Sequence, residues 1–167
     1  MLILKAIDFA RQYHGSQIRK YSKKPYIFHP INVGFILTYV TNDENIIVAG
    51  ILHDVLEDTE ATEQEITQFF GKTVSSYVVD VTDISKPTDG NRKFRKRLDL
   101  EHLAQAQPES KTIKLADILD NAKSIIKHDP AFAKVWLNEK MELLPHLVEG
   151  DITLWHRVYK IIHKRPI

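Results

Sequence analysis

The chain has no cysteine among its 167 residues, which excludes disulfides and thiolate metal sites but leaves the compartment open. Glycine and proline are scarce, six and seven, and they fall mostly between periodic segments, which argues against a linker or a domain boundary. No apolar run approaches the ~20 residues needed to span a bilayer. The opening "MLILKAIDFARQYH" carries Lys5, Asp8 and Arg11 too early for the apolar region of a signal peptide. A cytoplasmic protein is expected. Charge of one sign is also missing in bulk. The net value is +1, so nothing pulls the whole chain toward nucleic acid or an anionic membrane. There are no repeats and no low-complexity segment.

What is present is an ordinary globular balance, 43% apolar and 27% charged, in a length that suits one domain with a sizeable core. The hydrophobic pattern is helical almost throughout. Residues 2–14 place Ile3, Ala6, Ala10 and Tyr13 at helical spacing. Residues 19–27, "RKYSKKPYI", read as a basic loop. Pro30 suits the first turn of a helix reaching about Val40. Thr41 with Glu44, and Thr62 with Glu65, have the spacing of capping boxes, and Gly71 is a plausible stop. Further helices are expected over 73–82, 91–106, 110–127, 131–149 (broken or kinked by Pro145) and 152–164. The β-branched run "VSSYVVDV" at 74–81 is where a strand competes. The fold class is all-α.

The chemistry concentrates in "AGILHDVLEDT", residues 49–59. On one continuous helix His53, Asp54, Glu57 and Asp58 share an arc of about 140°, with Val48, Ile51, Leu52, Val55 and Leu56 opposite. Taken alone this is an amphipathic helix with a solvated acidic face. Two features weigh against that reading. From Asp54 to Glu65 there are six acidic residues and no basic one, so no i,i+4 ion pair forms. Like charges one turn apart also repel, a cost that a bound cation relieves. More ligands must come from elsewhere. His29 in "YIFHP" alone reads as a capping or packing histidine. Asp117 in "KLADILDN" shares a helix side with Lys114, Asn121 and Ser124, which alone is a solvated stripe. Asp120 is a carboxylate on the same helix outside the ligand set.

In order, the chain carries "HGSQIRK" (14–20), "PYIFHP" (25–30), "LHDVLEDT" (52–59), "VTDISK" (81–86), "NRKFRKR" (91–97) and "KLADILDN" (114–121). The set resembles the HD superfamily of metal-dependent phosphohydrolases. Within it, the set is similar to the hydrolase domain of the RelA/SpoT group, whose substrates are the alarmones ppGpp and pppGpp. The resemblance runs from about residue 5 to 148 and implies an HD-domain helical bundle, with the helix at 152–164 packed on it. Bifunctional members carry a synthetase domain for which these 167 residues leave no room. The expectation is therefore a stand-alone small alarmone hydrolase over 1–167, the class that includes the animal Mesh-type enzymes.

By matching motif, the resemblance implies that His29, His53, Asp54 and Asp117 bind one metal ion. Ligand chemistry permits Mn²⁺, Fe²⁺ or Zn²⁺, and the family implies Mn²⁺. It also implies that Glu57 and Asp58 are catalytic, and that Arg19, Lys20, Arg92 and Asn121 bind substrate. The loop "RKYSKKPYI" lacks the glycine and glutamate of the common "RKSGEPYI" and is one residue longer. "LADILDN" departs from the pattern at Ile118 and Asp120. The competing enzyme reading is an HD-type phosphohydrolase of another nucleotide, such as the 2′-phosphate of NADPH. The non-enzyme reading is an RNA-binding helical protein using "NRKFRKR", five basic residues in seven. No aromatic platform or nucleic-acid motif accompanies that run, so a small-molecule substrate is favoured, without nucleic acid or membrane.

Overall fold

The computed structural model describes residues 2–163. Among these described residues are ten α-helices: α1 Leu2–His14, α2 Phe28–Leu37, α3 Glu44–Leu52, α4 Val55–Asp58, α5 Glu63–Phe70, α6 Lys72–Val81, α7 Arg92–Ala104, α8 Pro108–His128, α9 Pro130–Leu143 and α10 Ile152–His163. Short 3₁₀ turns occupy Pro87–Asp89 and Leu144–Leu147. Among the described residues no strand forms, and the only extended pairing is an isolated bridge between Ile18 and Pro25. No described helix is long and apolar enough to cross a membrane.

Local chemistry accounts for most boundaries. Thr62 and Glu65 form the expected capping box at the start of α5. Gly71 ends that helix at φ 88°, a conformation that costs glycine little. Pro108 and Pro130 open α8 and α9, where a missing N–H is harmless. Asn91 and Asp129 accept hydrogen bonds from the Phe94 and Phe132 amides at the starts of α7 and α9. The β-branched run 74–81 is helical, because Val74, Tyr77, Val78 and Val81 bury one helical stripe against the core. Pro145 falls in the 3₁₀ turn just after α9, as its missing donor requires. Lys164, the last residue of the expected C-terminal helix, lies outside the described residues.

Two expectations are corrected here. The cap of α3 is Asp43, whose carboxylate accepts from the Asn45 amide at 2.8 Å. Thr41 instead accepts from the Asp43 amide, and Glu44 reaches across to the Leu2 amide. The acidic motif is also not one continuous helix. α3 stops at Leu52, His53 and Asp54 form a turn, and α4 restarts at Val55. Asp54, at φ −97° and ψ −6°, has left helical geometry for the sparsely populated bridge region.

The core is organised around α3 and α8. Residues 46–52 of α3 are all buried, ringed by α1, α2, α6 and α8. α8 buries Ile113, Leu115, Ala116, Ile118, Leu119 and Ala122. Helices α2 and α3 approach closely through two glycines, Gly34 against Ile51 and Gly50 against Leu37. α10 packs on α8 and α9. This arrangement points the start of α2, the end of α3 and the middle of α8 at one place.

Candidate metal centre and substrate cleft

His29 arrives in the first turn of α2, His53 and Asp54 in the turn after α3, and Asp117 from the middle of α8. The structure brings all four together. One ligand atom from each of His29, His53 and Asp54 lies within 4.8 Å of the others. Asp117 Oδ1 lies 3.3 Å from His29 Nε2 and 3.7 Å from His53 Nε2. Asp54 Oδ2 is 3.4 and 3.0 Å from the same two nitrogens. The imidazole rings stand 5.0 Å apart, edge to face.

The outer nitrogens fix the tautomers. His53 Nδ1 lies 2.8 Å from the Gly50 carbonyl, which can only accept, so Nδ1 carries the proton. His29 Nδ1 lies 2.7 Å from Asp120 Oδ2, which sets the same tautomer. In the neutral form of each ring the Nε2 lone pair then faces the cluster. His53 Nε2 is buried without a hydrogen-bond partner among the described residues, a costly arrangement unless something electrophilic sits against it. A divalent cation fits that nitrogen and the mixed imidazole–carboxylate set.

The electrostatics agree. Burial opposes charge on both histidines, but Asp117, Asp120 and Asp54 carry His29 well above its ordinary pKa, and Asp54 and Asp117 carry His53 up to about 9. Burial likewise opposes charge on Asp54, yet the two histidines hold it well below the usual carboxylate range. Lys114 and the same histidines do so for Asp117. The four groups together stabilise positive charge between them.

Glu57 and Asp58 follow on α4, at the rim. The Asp83 amide donates to Glu57 Oε2 at 3.3 Å. Desolvation and the neighbouring Asp83 carboxylate push Glu57 up to about 7, although its side chain still reaches solvent. Desolvation and Asp54 also raise Asp58. The two line an open cavity with Gln12, Tyr13, Gln17 and Thr59.

Of the remaining expected site residues, Arg19 and Asn121 join the centre, whereas Lys20 and Arg92 contact neither the four grouped residues nor Glu57 and Asp58. Arg19 donates to Asp120 Oδ2 at 2.6 Å and to Asn121 Oδ1 at 2.9 Å. Asn121 donates in turn to Asp117 Oδ1 at 2.6 Å. Lys20 is exposed, 3.7 Å from Asp129 and 5.7 Å from the centre of the Phe132 ring. Arg92 forms a two-point pair with Glu139 and lies 5.2 Å from the same ring. Lys20 and Arg92, distant in sequence, thus share Phe132. The basic run 91–97 is largely committed internally. Arg92 pairs with Glu139, Lys96 with Asp83 and Asp99, and Arg97 with Glu101.

Several participants escaped the sequence reading. Lys114 is not part of a solvated stripe. Only 13% of its side chain is exposed, and its ammonium lies 3.2 Å from Asp117 Oδ2. The acidic motif therefore does have a basic neighbour, supplied from α8. Tyr26 donates to Asp54 Oδ2 at 2.5 Å. Asp120, read as outside the ligand set, backs His29. The Lys114-Asp117-Asn121 spacing was a usable signal for one shared helix face, but nothing local marked that face as buried.

An HD domain profile matches residues 6–143. The chain is 39% identical over 153 residues to guanosine-3′,5′-bis(diphosphate) 3′-pyrophosphohydrolase MESH1 of Xenopus tropicalis, covering 89% of this chain and 84% of that one. It is 36% identical over 152 residues to the Homo sapiens protein of the same name, covering 89% and 83%. Bacterial relatives from Mycoplasma pneumoniae and Aquifex aeolicus are 34% and 38% identical over 85% and 84% of this chain, which spans only 20% of the length of each. A solved structure described as a metazoan ortholog of SpoT that hydrolyzes ppGpp superposes with a TM-score of 0.87 at 30% identity, covering 98% of this chain and 95% of that one.

Proposed function

This chain belongs to the HD-domain family and, within it, to the group that holds the MESH1 pyrophosphohydrolases, and from that premise we propose that it hydrolyses the 3′-pyrophosphate of ppGpp or pppGpp, giving GDP or GTP and pyrophosphate. The observation that carries the reading is the gathering of His29, His53 and Asp54 within 4.8 Å, with Asp117 beside both imidazoles and Glu57 one turn further on. His29, His53, Asp54 and Asp117 would hold one divalent ion. Their chemistry admits several metals, and Mn²⁺ is the one the resemblance to alarmone hydrolases implies. When bound, the ion supplies a Lewis acid that polarises a phosphoryl oxygen and acidifies water.

The chain's own residues do the rest. Glu57 orients the attacking water and accepts its proton, with the Asp83 amide fixing one carboxylate oxygen. Asp58 lines the same side of the cleft. Water adds to the 3′-phosphorus, the bond from phosphorus to the 3′-oxygen breaks, and pyrophosphate departs as that oxygen takes a proton. Arg19, its charge already matched by Asp120, offers a planar guanidinium for stacking on guanine. Lys20, exposed and only loosely paired with Asp129, would serve as a point charge for phosphates. Arg92, paired with Glu139 beside Phe132, would turn its guanidinium to the pyrophosphate. Asn121 joins the nucleoside to the Asp117 side of the centre.

The test is to incubate metal-stripped protein with ppGpp or NADPH, with and without Mn²⁺, and identify the products. GDP and pyrophosphate appearing only with metal is the expected result. Metal-independent turnover, or full activity in Asp54→Ala, would overturn the site. Orthophosphate released from NADPH while ppGpp stays intact would replace the substrate.

A further inference from the structure

We infer that Asp120 is a positioning residue that couples the metal centre to the substrate arginine, through one oxygen shared by His29 and Arg19. The inference rests on the metal site proposed above and goes beyond it. Asp120 stands where "LADILDN" departs from the family pattern, so its role does not come with the resemblance.

The geometry is specific. His29 Nδ1 lies 2.7 Å from Asp120 Oδ2, and Arg19 donates to that same atom at 2.6 Å. Asn32 donates to the other oxygen, Oδ1, at 3.1 Å and fixes the carboxylate plane. His29 is 1% exposed and its Nε2 faces the ligand cluster, so the Asp120 contact is the outer support of a buried ligand. Arg19 and Asp120 are also largely enclosed, at 14% and 13% exposure, which shields the pair from solvent.

Two donors on one oxygen divide its electron density. While Arg19 holds Oδ2, the carboxylate supports the His29 imidazole less strongly. When Arg19 turns to a nucleotide, Oδ2 belongs to His29 alone, the imidazole becomes a better donor, and the metal binds more tightly. Linkage requires the reverse as well, so bound metal favours release of Arg19 toward substrate. Each ligand thus promotes the other through Asp120.

The experiment is titration of metal-stripped protein with Mn²⁺ by calorimetry, without substrate, on wild type, Asp120→Asn, Arg19→Ala and the double variant. Asp120→Asn, which keeps the shape of the side chain, is expected to weaken binding by about 10- to 100-fold, the usual effect of losing an outer partner of a metal ligand. Arg19→Ala, which touches no ligand atom, is expected to tighten binding by about fivefold, the lower end of ordinary site-to-site coupling. In the Asp120→Asn background the same Arg19 change should have less than about a twofold effect. Unchanged binding in Asp120→Asn would overturn the inference. So would an equal Arg19 effect in both backgrounds, since that is simple charge acting through space. Should Asp120→Asn fail to fold, Asp120→Ala takes its place in the cycle, and unchanged or weaker binding in Arg19→Ala refutes the coupling in either case. Wild type that binds no Mn²⁺ would instead refute the metal site itself.

Discussion

Replacing Gly34 by alanine should damage the metal centre without touching it. Gly34 lies on α2, five residues after His29, and faces Ile51 on α3, two residues before His53. A Cβ there would stand 2.6 Å from Ile51 Cγ1 and 3.1 Å from Cδ1. Carbon pairs rest at roughly 3.5–4.0 Å, so the helices must part by about 1 Å. Ile51 is 2% exposed and stiff at its branched Cβ, so it has little room to turn aside. Overpacking of this kind costs roughly 1–3 kcal/mol. About 1 kcal/mol returns because alanine suits a helix interior better than glycine. The net loss of up to about 2 kcal/mol should lower the melting temperature by roughly 4–8 °C in a chain of this size. The site should suffer more. Metal ligands tolerate errors of only about 0.5 Å, so Mn²⁺ affinity is expected to fall at least about tenfold. Gly71→Ala separates the two effects. Gly71 has φ 88° and nothing within 4 Å of the added carbon, so that substitution strains the backbone between α5 and α6 and leaves the ligands alone. Thermal melts and Mn²⁺ titrations on both variants decide. Gly34→Ala binding Mn²⁺ like wild type, or Gly71→Ala losing affinity equally, would refute the claim that the α2–α3 contact sets the site.

Further outcomes follow from the rim of the cleft. Glu57→Gln should lower kcat by about 10²–10⁴-fold while calorimetry shows Mn²⁺ binding retained, and loss of metal binding would make Glu57 a ligand instead of a base. Glu57 must be ionised to take a proton, and desolvation with Asp83 raises it to about 7, so kcat/KM should fall as pH drops through the neutral range. Asp83→Asn removes a charge that disfavours the carboxylate and should move that acid limb to lower pH. Lys96, whose ammonium lies 2.5 Å from Asp83 Oδ2, masks part of the same charge, so Lys96→Met should move the limb upward. Movement of both in one direction would dissolve the assignment. Adding EDTA to protein in Mn²⁺ at about 100 times its dissociation constant should remove about 2.7 kcal/mol of stability, read as a lower melting temperature, and an unchanged melt would argue against a bound ion.

Many of the helices were readable because local residues mark their ends. Thr62 with Glu65 and the positive φ at Gly71 are local events, and the sequence carries the residues they need. The failure at α3 has a different origin. A wheel drawn from 48 to 58 assumes uniform helical geometry, but Asp54 leaves it, and the chain restarts at Val55. No helix breaker marks that point, since His53 and Asp54 are both tolerable inside a helix. What interrupts the ladder is the tertiary surroundings, where the Asp54 carboxylate meets two imidazoles and the Tyr26 hydroxyl. Tertiary contacts likewise settled 74–81, where β-branched residues formed a buried helical stripe.

The site shows where motif reading stops. His29, His53, Asp54 and Asp117 could be named because a family pattern orders them, and they converge in space. Lys114 and Asp120 could not, because the same residue types on the same helix suit solvent equally well. Their meaning depends on which side of α8 is buried and on what stands opposite. Lys114 faces Asp117 and lies near enough to Asp83 and Glu57 for their charges to hold its proton firmly. Asp120 lies three residues after Asp117, on a neighbouring strip of α8, and meets His29 from the outside. α8 therefore places a carboxylate on each side of His29, Asp117 toward the ligand cluster and Asp120 behind the ring. The acidic face of "LHDVLEDT" is then balanced from inside the fold by Lys114 and, on the proposed function, by the cation that His29, His53, Asp54 and Asp117 would hold. A substitution that neutralises Lys114 should consequently strengthen the demand for the metal, because among the described residues it removes the one competing positive charge that contacts Asp117 besides the two imidazoles. Lys114→Met is expected to bind Mn²⁺ more tightly than wild type in the titration, and to melt lower when stripped of metal. Weaker Mn²⁺ binding in a folded variant would mean that Lys114 orients Asp117 rather than competing for it.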